Sequence, residues 1–328
     1  MKLSGRLWLL KLAILGALSI SAAPVALAQA DSYPSRALRI VVGFAPGGSN
    51  DIIARLLADK LNRSLGQPVI VENKPGAGGA VAASFVKSQP ADGYTLLVGA
   101  TGAMVVGPAI GAPASYETLA DFQPVSMLGT SPLVLVVSAT APHKTLKDLV
   151  AWSKANPSTA NYASASPTFT LAAELLKLRS GASMQRVSYR GSNDAVLAVL
   201  GNQVTAAICD PLPAIPLLKD GKLRALAVTS TIRLPELPDV PTTAEAGVTG
   251  AEAAFWTGLF VPKNTPKEIV DRLEAEVRTA MQDADVRQKL RSLATDAASS
   301  SPAEFTDRIK ADLKAWSDVA KVANVTFN

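Results

Sequence analysis

Cysteine and histidine are almost absent from this 328-residue chain, which contains one residue of each type. The lone Cys209 cannot form a disulfide within the chain, and its place in the apolar run "VTAAIC" predicts a small buried hydrophobic residue. Because there is no His or Cys cluster, the sequence predicts no metal site. His143 lies in "TAPHKTL", and no Gly-x-Ser-x-Gly elbow is present to frame a serine triad. We therefore expect a solvated loop histidine and keep a secreted hydrolase only as a disfavoured alternative.

Basic clusters are missing as well. The formal charge of +5 comes from 32 Lys and Arg residues against 27 Asp and Glu residues. Three of the basic residues fall within the first thirty positions, so the remainder of the chain carries a net charge of only +2. That remainder has no polybasic stretch, and a nucleic-acid partner is therefore not supported.

Long apolar runs without charge are confined to the N-terminus. Basic residues precede an apolar stretch at 12–20, and a small-residue motif allows cleavage after Ala28 or Ala30. This pattern predicts a secretory signal peptide over residues 1–30. The stretch is shorter than the roughly 20 residues that cross a bilayer, which disfavours an uncleaved membrane anchor. We expect the mature protein to be free in the periplasm.

Strand-like and helix-like segments alternate along the rest of the chain. Apolar strands such as "LRIVVGF" and "YTLLVGA" are separated by segments with helical features, predicted at 50–65, 79–88, 145–155, 167–180 and 192–200. This alternation is typical of an α/β protein whose sheets are flanked by helices. Two capping boxes with proline, Thr265-Pro266 with Glu268 and Ser301-Pro302 with Glu304, predict further helices near the C-terminus.

The number of strands predicts two lobes rather than one. More than ten strand-like runs are too many for a single open sheet of ordinary size. We expect the first lobe to comprise residues 31–130 and 253–328, and the second to comprise residues 131–252. The runs "SPLVLVVSA" and "FWTGLFVP" would carry the chain between them. A chain that leaves a lobe and later returns forms a two-strand hinge, which allows a cleft to close on a ligand.

The glycine-rich segments lack the remaining parts of nucleotide-binding motifs. "APGGSND" has no Lys-Ser/Thr pair after its glycines, as the Walker motif requires. In "KPGAGGAVAAS", three residues separate the glycines from the preceding strand, and no acidic residue ends a strand about 20 residues later. The sequence therefore predicts no cofactor.

The segment "VVGFAPGGSND" at 41–51 joins a β-branched strand to a helix. Gly47 and Gly48 allow successive backbone N–H groups to point into one concavity, and the following helix adds its positive end. Such a place can hold a carboxylate. These residues alone leave an alternative open. The glycines would then only form a tight turn, and Asp51 would only cap the helix.

The segment "NYASASPTFTLAAELL" provides a second candidate anion site. Ser164 and Ser166 end a strand, and Pro167 begins a helix whose first residues include Thr168 and Thr170. Hydroxyl and N–H groups thus gather at a helix N-terminus. If the strands of both lobes end at one cleft, the two loops face each other and each binds one end of a small dianion or amino acid.

Several longer segments occur in one order along the chain. They are "YPSRALRIVVGFAPGGSNDIIAR", "VENKPGAGGAVAASFVKSQPADGYTLL", "VSYRGSNDAV", "GKLRALAVTS", "RLPELPDVPTTAEAG" and "WTGLFVP". In these segments the chain resembles the Bug receptors, the periplasmic solute-binding proteins of tripartite tricarboxylate transporters. The resemblance implies a two-lobed α/β periplasmic-binding-protein fold, type II-like, with mixed sheets flanked by helices and a ligand cleft between the lobes.

The resemblance also implies a function. It indicates a monomeric receptor, not an enzyme, that binds a small carboxylate and delivers it to membrane transporter subunits. The carboxylate could be a di- or tricarboxylate, an aromatic acid or an amino acid. A ligand-sensing partner of a signalling system would use the same fold, and this alternative stays open.

The family holds its ligand carboxylate mainly with backbone amides and ordered water from two facing loops. The residues that match these loops, with two expected cleft neighbours, are Phe44, Ala45, Gly47, Gly48, Ser49 and Asp51, then Ser164, Ser166, Thr168 and Thr170, and finally Thr101 and Asp210. The second loop departs from the family pattern, because it lacks the usual glycines and has Thr170 where His is common. Ser188 also replaces the usual Pro, and we interpret Tyr189 and Arg190 as structural.

Overall fold

The computed structural model describes residues 33–323. The predicted signal peptide at 1–30 and the last five positions of the predicted first lobe lie outside the described residues. Among the described residues, those from Pro34 onward belong to one compact unit. Within residues 33–323, no helix combines the length and the apolar character needed to cross a membrane.

Eleven strands occur within the described residues, and they form two sheets. They are β1 (Leu38–Val42), β2 (Val69–Asn73), β3 (Thr95–Ala100), β4 (Phe122–Pro132), β5 (Val134–Ser138), β6 (Asn161–Ser164), β7 (Gln185–Ser188), β8 (Ala206–Cys209), β9 (Leu223–Val228), β10 (Ala254–Pro262) and β11 (Asp296–Ala297). The first sheet has the order β11-β4-β10-β3-β1-β2, and the second has the order β7-β6-β8-β5-β9.

Both sheets are mixed, as expected. In the first, β1 is parallel to β2 and β3, whereas β10 is antiparallel to β3 and β4. In the second, β6 is parallel to β7 and β8, whereas β5 is antiparallel to β8 and β9. The two sheets are the centres of a two-lobed fold, and we name the first and second lobes after them.

The helices lie between and after the strands. They are α1 (Ser49–Leu65), α2 (Ala80–Lys87), α3 (Gly107–Ala109), α4 (Thr118–Asp121), α5 (Leu146–Ala155), α6 (Pro167–Ser180), α7 (Ser192–Leu200), α8 (Ile215–Lys219), α9 (Lys267–Gln282), α10 (Ala284–Arg291) and α11 (Pro302–Ala323). A 3-10 turn at Ala77–Gly79 precedes α2, and a π-helical turn at Gly102–Val106 follows β3. Both α1 and α6 end at a glycine with a left-handed backbone, Gly66 and Gly181, which is a common helix stop.

The two predicted capping boxes have different outcomes. At α11 the prediction is confirmed, because Glu304 N donates to Ser301 Oγ while Ser301 N donates to Glu304 Oε2. At α9 it is wrong: Pro266 has an extended backbone (ψ 140°) and the helix begins only at Lys267. The hydroxyl of Thr265 donates instead to the carbonyl of Pro262, 2.7 Å away.

An aromatic cluster fixes α11 on the first sheet. Phe305 of α11 lies 5.1 Å, ring centre to ring centre, from both Trp256 and Phe260 of β10. Gly258 leaves room for this contact, since a Cβ at that position would stand 2.2 Å from the Phe305 ring. All three aromatic side chains are fully buried. The C-terminal helix therefore belongs to the core of the first lobe.

The chain passes between the two sheets at two places that lie side by side. Leu133 separates β4 from β5, and the segment from 229 to 253 separates β9 from β10. Thr229 joins the two crossings, because its Oγ1 accepts from Leu133 N at 2.8 Å and donates to Ala253 O at 2.7 Å. This buried threonine ties the connecting segments together.

Candidate functional site

A cavity of about 480 Å³ lies at the boundary between the two lobes. Its size is typical of a small-molecule site. One wall is formed by segments that come after β2 and α3 in the chain of the first lobe. The other is formed by residues at and just after β6 and β7 of the second lobe. The lining residues are Gly76, Ala77, Gly78, Ala112 and Pro113 on the first side, and Ser164, Ala165, Ser166, Pro167, Thr170, Arg186, Ser188, Tyr189 and Arg190 on the second.

Three of the hydroxyl groups that line this cavity come from the end of β6 and the start of α6. Ser166 is the N-cap of α6, where its Oγ accepts from Phe169 N at 3.4 Å. The Oγ of Ser164 lies 2.9 Å from Thr170 Oγ1, and the three side chains are buried. Pro167 at the first helical position lacks an N–H group that the helix would leave unpaired. Polar groups that suit an anion therefore stand at the positive end of a 14-residue helix.

A glycine-rich turn of the first lobe faces this loop. Gly76, Ala77, Gly78 and Gly79 have positive φ angles of 147°, 47°, 63° and 104°, a conformation that favours glycine. A Cβ on Gly78 would stand 2.6 Å from Pro167 Cδ, so the two lobes touch there. From the sequence, this turn was rejected as a dinucleotide motif and belonged to a segment that resembles the Bug receptors, but it was not predicted to bind the ligand. The closely spaced glycines were the available signal for a tight turn. That this turn approaches the start of α6 depends on the fold and could not be predicted from the spacing.

A backbone donor of the predicted first loop is occupied by a carboxylate of the chain itself. Gly47 N donates to Asp51 Oδ2 at 3.0 Å, and the same carboxylate accepts from Arg55 and Asn73 at 2.9 Å each. Burial alone would raise the pKa of Asp51, but the hydrogen bonds from Arg55, Gly47 and Asn73 outweigh it and hold the pKa below its usual value. The Asp51 carboxylate thus binds the turn that was predicted to bind a ligand.

A second internal carboxylate joins the lobes. Asp210 follows β8 and is fully buried, and its Oδ1 accepts from Ser192 Oγ at 2.5 Å. Its Oδ2 accepts from Ser49 Oγ of the first lobe. Burial raises the pKa of Asp210, although both serine hydrogen bonds act in the opposite direction. Near it, Ala45 N donates to Arg190 O at 3.3 Å, so the first loop rests on the start of α7.

Two other predicted residues have structural contacts in the first lobe. Thr101 Oγ1 accepts from Trp256 N at 2.8 Å and donates to Trp256 O at 3.1 Å, which ties the end of β3 to β10. The ring of Phe44 packs against Gly79, where a Cβ would stand 3.2 Å from it. Among the predicted site residues the cavity is lined by Ser164, Ser166 and Thr170, and it is not lined by Phe44, Ala45, Gly47, Gly48, Ser49, Asp51, Thr101, Thr168 or Asp210.

Thr168 is buried, and its Oγ1 has no hydrogen-bond partner within the described part of the chain. Arg186 was not considered in the sequence analysis, and Arg190 and Tyr189 were interpreted as structural, yet all three line the cavity. The available signal was two arginines four residues apart, although β7 ends at Ser188 and Arg190 lies beyond it.

The sequence contains one histidine, and it lies outside this cavity. His143 is 5% exposed, and its ring centre lies 4.7 Å from that of Trp152, so the expectation of a solvated histidine is wrong. The indole of α5 covers the loop and shields the imidazole. Cys209 is buried, as predicted. Among residues 33–323 there is no group of His, Cys, Asp and Glu side chains that could hold a metal ion.

Comparisons with known proteins give consistent results. A family model described as "Tripartite tricarboxylate transporter family receptor" matches residues 53–325. Protein BugT of Bordetella pertussis is 35% identical over 313 residues, which cover 94% of this chain and 96% of that protein.

Two solved structures from Rhodopseudomonas palustris are also similar. Rpa4515 with adipate is 33% identical with a TM-score of 0.86, and the match covers 90% of this chain and 99% of that one. MatC with bound malate is 32% identical with a TM-score of 0.84, and the match covers 88% and 99%. The similarity therefore extends over most of the chain.

Proposed function

Because this chain belongs to the family of tripartite tricarboxylate transporter receptors, we propose that it captures a small carboxylate between its lobes and delivers it to a membrane transporter. The observation that carries the proposal is the cavity at the lobe boundary, with buried hydroxyls at the start of α6. The adipate and malate in two similar solved structures support this class of ligand.

The proposed mechanism is lobe closure. The hydroxyls of Ser164, Ser166 and Thr170 and the positive end of α6 bind one carboxylate of the ligand, and the turn at 76–78 closes over it from the first lobe. Each hydrogen bond to the charged group contributes about 1.5–3 kcal/mol. Only a ligand that contacts both walls favours the closed arrangement over the open one. In the closed arrangement the lobes would also be held together by the contacts of the first loop with Asp210 and with the carbonyl of Arg190.

The remaining features of the proposal follow from this function. The lobes comprise residues 31–130 with 253–328 and residues 131–252, and Thr229 lies in the hinge. The protein acts as a monomer in the periplasm after removal of its signal peptide, and it binds its ligand without transforming it. The position of the single histidine against Trp152, away from the cavity, supports a binding role rather than a histidine-dependent hydrolase.

A thermal-shift screen of mono-, di- and tricarboxylates, aromatic acids, amino acids and uncharged solutes tests the proposal. A ligand at 100 times its Kd stabilises the protein by about 2.7 kcal/mol, which raises the unfolding midpoint measurably. The double variant Ser164→Ala/Thr170→Val should weaken binding by roughly tenfold per lost hydroxyl. Thr279→Val is the control, because Thr279 is an exposed helical residue far along the chain whose hydroxyl donates to Ala275 O. Stabilisation by an uncharged solute but by no carboxylate would contradict the proposal.

A further inference from the structure

The edge strand of the second sheet and the residues just after it bring two arginines to the cavity. Arg186 and Ser188 lie in β7, Tyr189 and Arg190 follow it, and all four line the cavity. The register pairs Ser188 with Ser164 on the neighbouring strand β6. The two arginines therefore belong to the same wall as the hydroxyls at the start of α6.

The charges on the cavity walls have one sign. None of the described residues that line it is acidic, whereas two are arginines. Asp194 does not line the cavity, but it forms an ion pair with Arg190, with 3.4 Å between Asp194 Oδ2 and Arg190 Nε. Asp210 accepts from Ser49 and Ser192 and does not line the cavity. The walls therefore favour additional negative charge on a ligand and disfavour an ammonium group.

We propose that Arg186 and Arg190 form a subsite for a second carboxylate, so that the cavity selects dicarboxylates over monocarboxylates and amino acids of the same chain length. This inference rests on the proposed function, in which the first carboxylate binds at the start of α6. A guanidinium group matches a carboxylate with two parallel hydrogen bonds. Because the Arg190 side chain is 76% exposed and Arg186 is also exposed, the attraction is screened by water and salt.

Asp194 competes for the same guanidinium group. Its side chain is 29% exposed and holds Arg190 in an ion pair four residues apart on the chain. A ligand carboxylate must share or displace this partner. Removing the charge of Asp194 should therefore strengthen the binding of a dicarboxylate, whereas removing Arg190 should weaken it. Opposite effects from two neighbouring residues are not expected if either substitution only perturbs the fold.

Isothermal titration calorimetry on the purified protein can test the subsite with ligands that differ only at one end. Adipate, hexanoate and 6-aminohexanoate end in a carboxylate, a methyl group and an ammonium group on the same six-carbon chain. Succinate, butyrate and 4-aminobutyrate form the four-carbon set. We expect the dicarboxylate of at least one set to bind at least about tenfold more tightly than its monocarboxylate, and the amino acid to bind most weakly.

The variants locate the effect. Arg186→Gln/Arg190→Gln should reduce the dicarboxylate-to-monocarboxylate affinity ratio to about threefold or less, with the monocarboxylate Kd unchanged. Asp194→Asn should increase the ratio, and 0.5 M salt should decrease it. Arg63→Gln is the matched control, because Arg63 forms the same kind of exposed ion pair, with Asp59, on α1. Equal unfolding midpoints without ligand would show that the variants are folded.

Two outcomes would overturn the inference while leaving the proposed function intact. One is that carboxylates bind but the dicarboxylate has no advantage over its monocarboxylate. The other is an advantage that survives the double arginine substitution. If no carboxylate in the panel binds while an uncharged solute does, the proposed function itself is contradicted.

Discussion

At the residue scale, two carboxylates of the chain accept hydrogen bonds from groups that the sequence predicted for a ligand. Asp51 accepts from Gly47 N inside the first loop, and Asp210 accepts from Ser49 and Ser192 across the lobe boundary. Each lies near the start of a helix, where negative charge is favoured. The first loop therefore helps to hold the lobes together, whereas Ser164, Ser166 and Thr170 of the second loop line the cavity.

His143 gives a pH prediction at this scale. Burial lowers its pKa below the ordinary value of 6.5, while nearby Asp148 acts in the opposite direction. Well above pH 6.5 the imidazole is neutral in both the folded and the unfolded chain, so it adds no pH dependence there. As the pH falls below 6.5, the unfolded chain binds the proton first, and the free energy of unfolding decreases until the folded pKa is reached. Since the sequence has one histidine, NMR titration of the untagged protein should give a single imidazole signal with a midpoint below 6.5.

A variant that does not titrate isolates this contribution. His143→Phe keeps a ring against Trp152, so the difference in unfolding free energy between the two proteins should change from pH 7.5 to 5.5 in favour of Phe. Carboxylates elsewhere titrate equally in both proteins and cancel in the difference. A midpoint at or above 6.5, or a difference independent of pH, would show that the imidazole is not shielded.

Sequence patterns predict the second loop better than they predict the arginines or the histidine. Ser164, Ser166 and Thr170 sit at a helix start that proline and hydroxyl residues mark locally, and the cavity is lined by all three. The spacing of the two arginines is visible in the sequence, but their position at the cavity depends on how the lobes pack. His143 is buried because Trp152 from the next helix packs against it. The burial of His143 and the position of the arginines both depend on contacts between separate elements, which the sequence alone does not predict.

At the scale of elements, helix positions were largely predictable. The segments predicted at 167–180 and 192–200 coincide with α6 and α7, because proline, glycine and hydroxyl residues mark their ends. The exception is α9, where Thr265 has the sequence of a cap but Pro266 remains extended. β4 was not predicted. Its eleven residues alternate less regularly and pair with β10, a partner more than 120 residues later.

The two crossings between the lobes give a prediction for Thr229. Thr229→Val removes a buried hydroxyl that joins Leu133 N to Ala253 O, and it leaves both backbone groups without that partner. We expect a loss of about 1–3 kcal/mol in the free energy of unfolding, measured by urea denaturation. Thr229→Ser keeps the hydroxyl and should lose much less. No loss in Thr229→Val, or a loss no larger than that in Thr229→Ser, would contradict the role of the hydroxyl as a tie between the crossings.

At the scale of the whole molecule, glycines allow the lobes to approach each other. A Cβ on Gly78 would meet Pro167 at 2.6 Å, and a Cβ on Gly102 would meet Ser166 and Pro167 at 3.1–3.2 Å. Gly78 has a positive φ, so any substitution there also strains the backbone. Gly102 is not in the left-handed region, and alanine at that position adds only the methyl group. It is therefore the cleaner position at which to test closure.

Gly102→Ala should keep both lobes folded but oppose their contact at the start of α6. Forcing one methyl group into a tight contact costs about 1–3 kcal/mol, so carboxylate binding should weaken roughly 5- to 150-fold. The decrease in radius of gyration that a ligand produces, measured by small-angle X-ray scattering, should become smaller. Gly201→Ala is the control, because its Cβ would have only contacts of 3.5 Å or more and its φ is −80°. If Gly102→Ala binds and contracts like the unaltered protein, the approach of Gly102 to Pro167 is not part of the ligand-bound state, and closure must use the first loop and Asp210 instead.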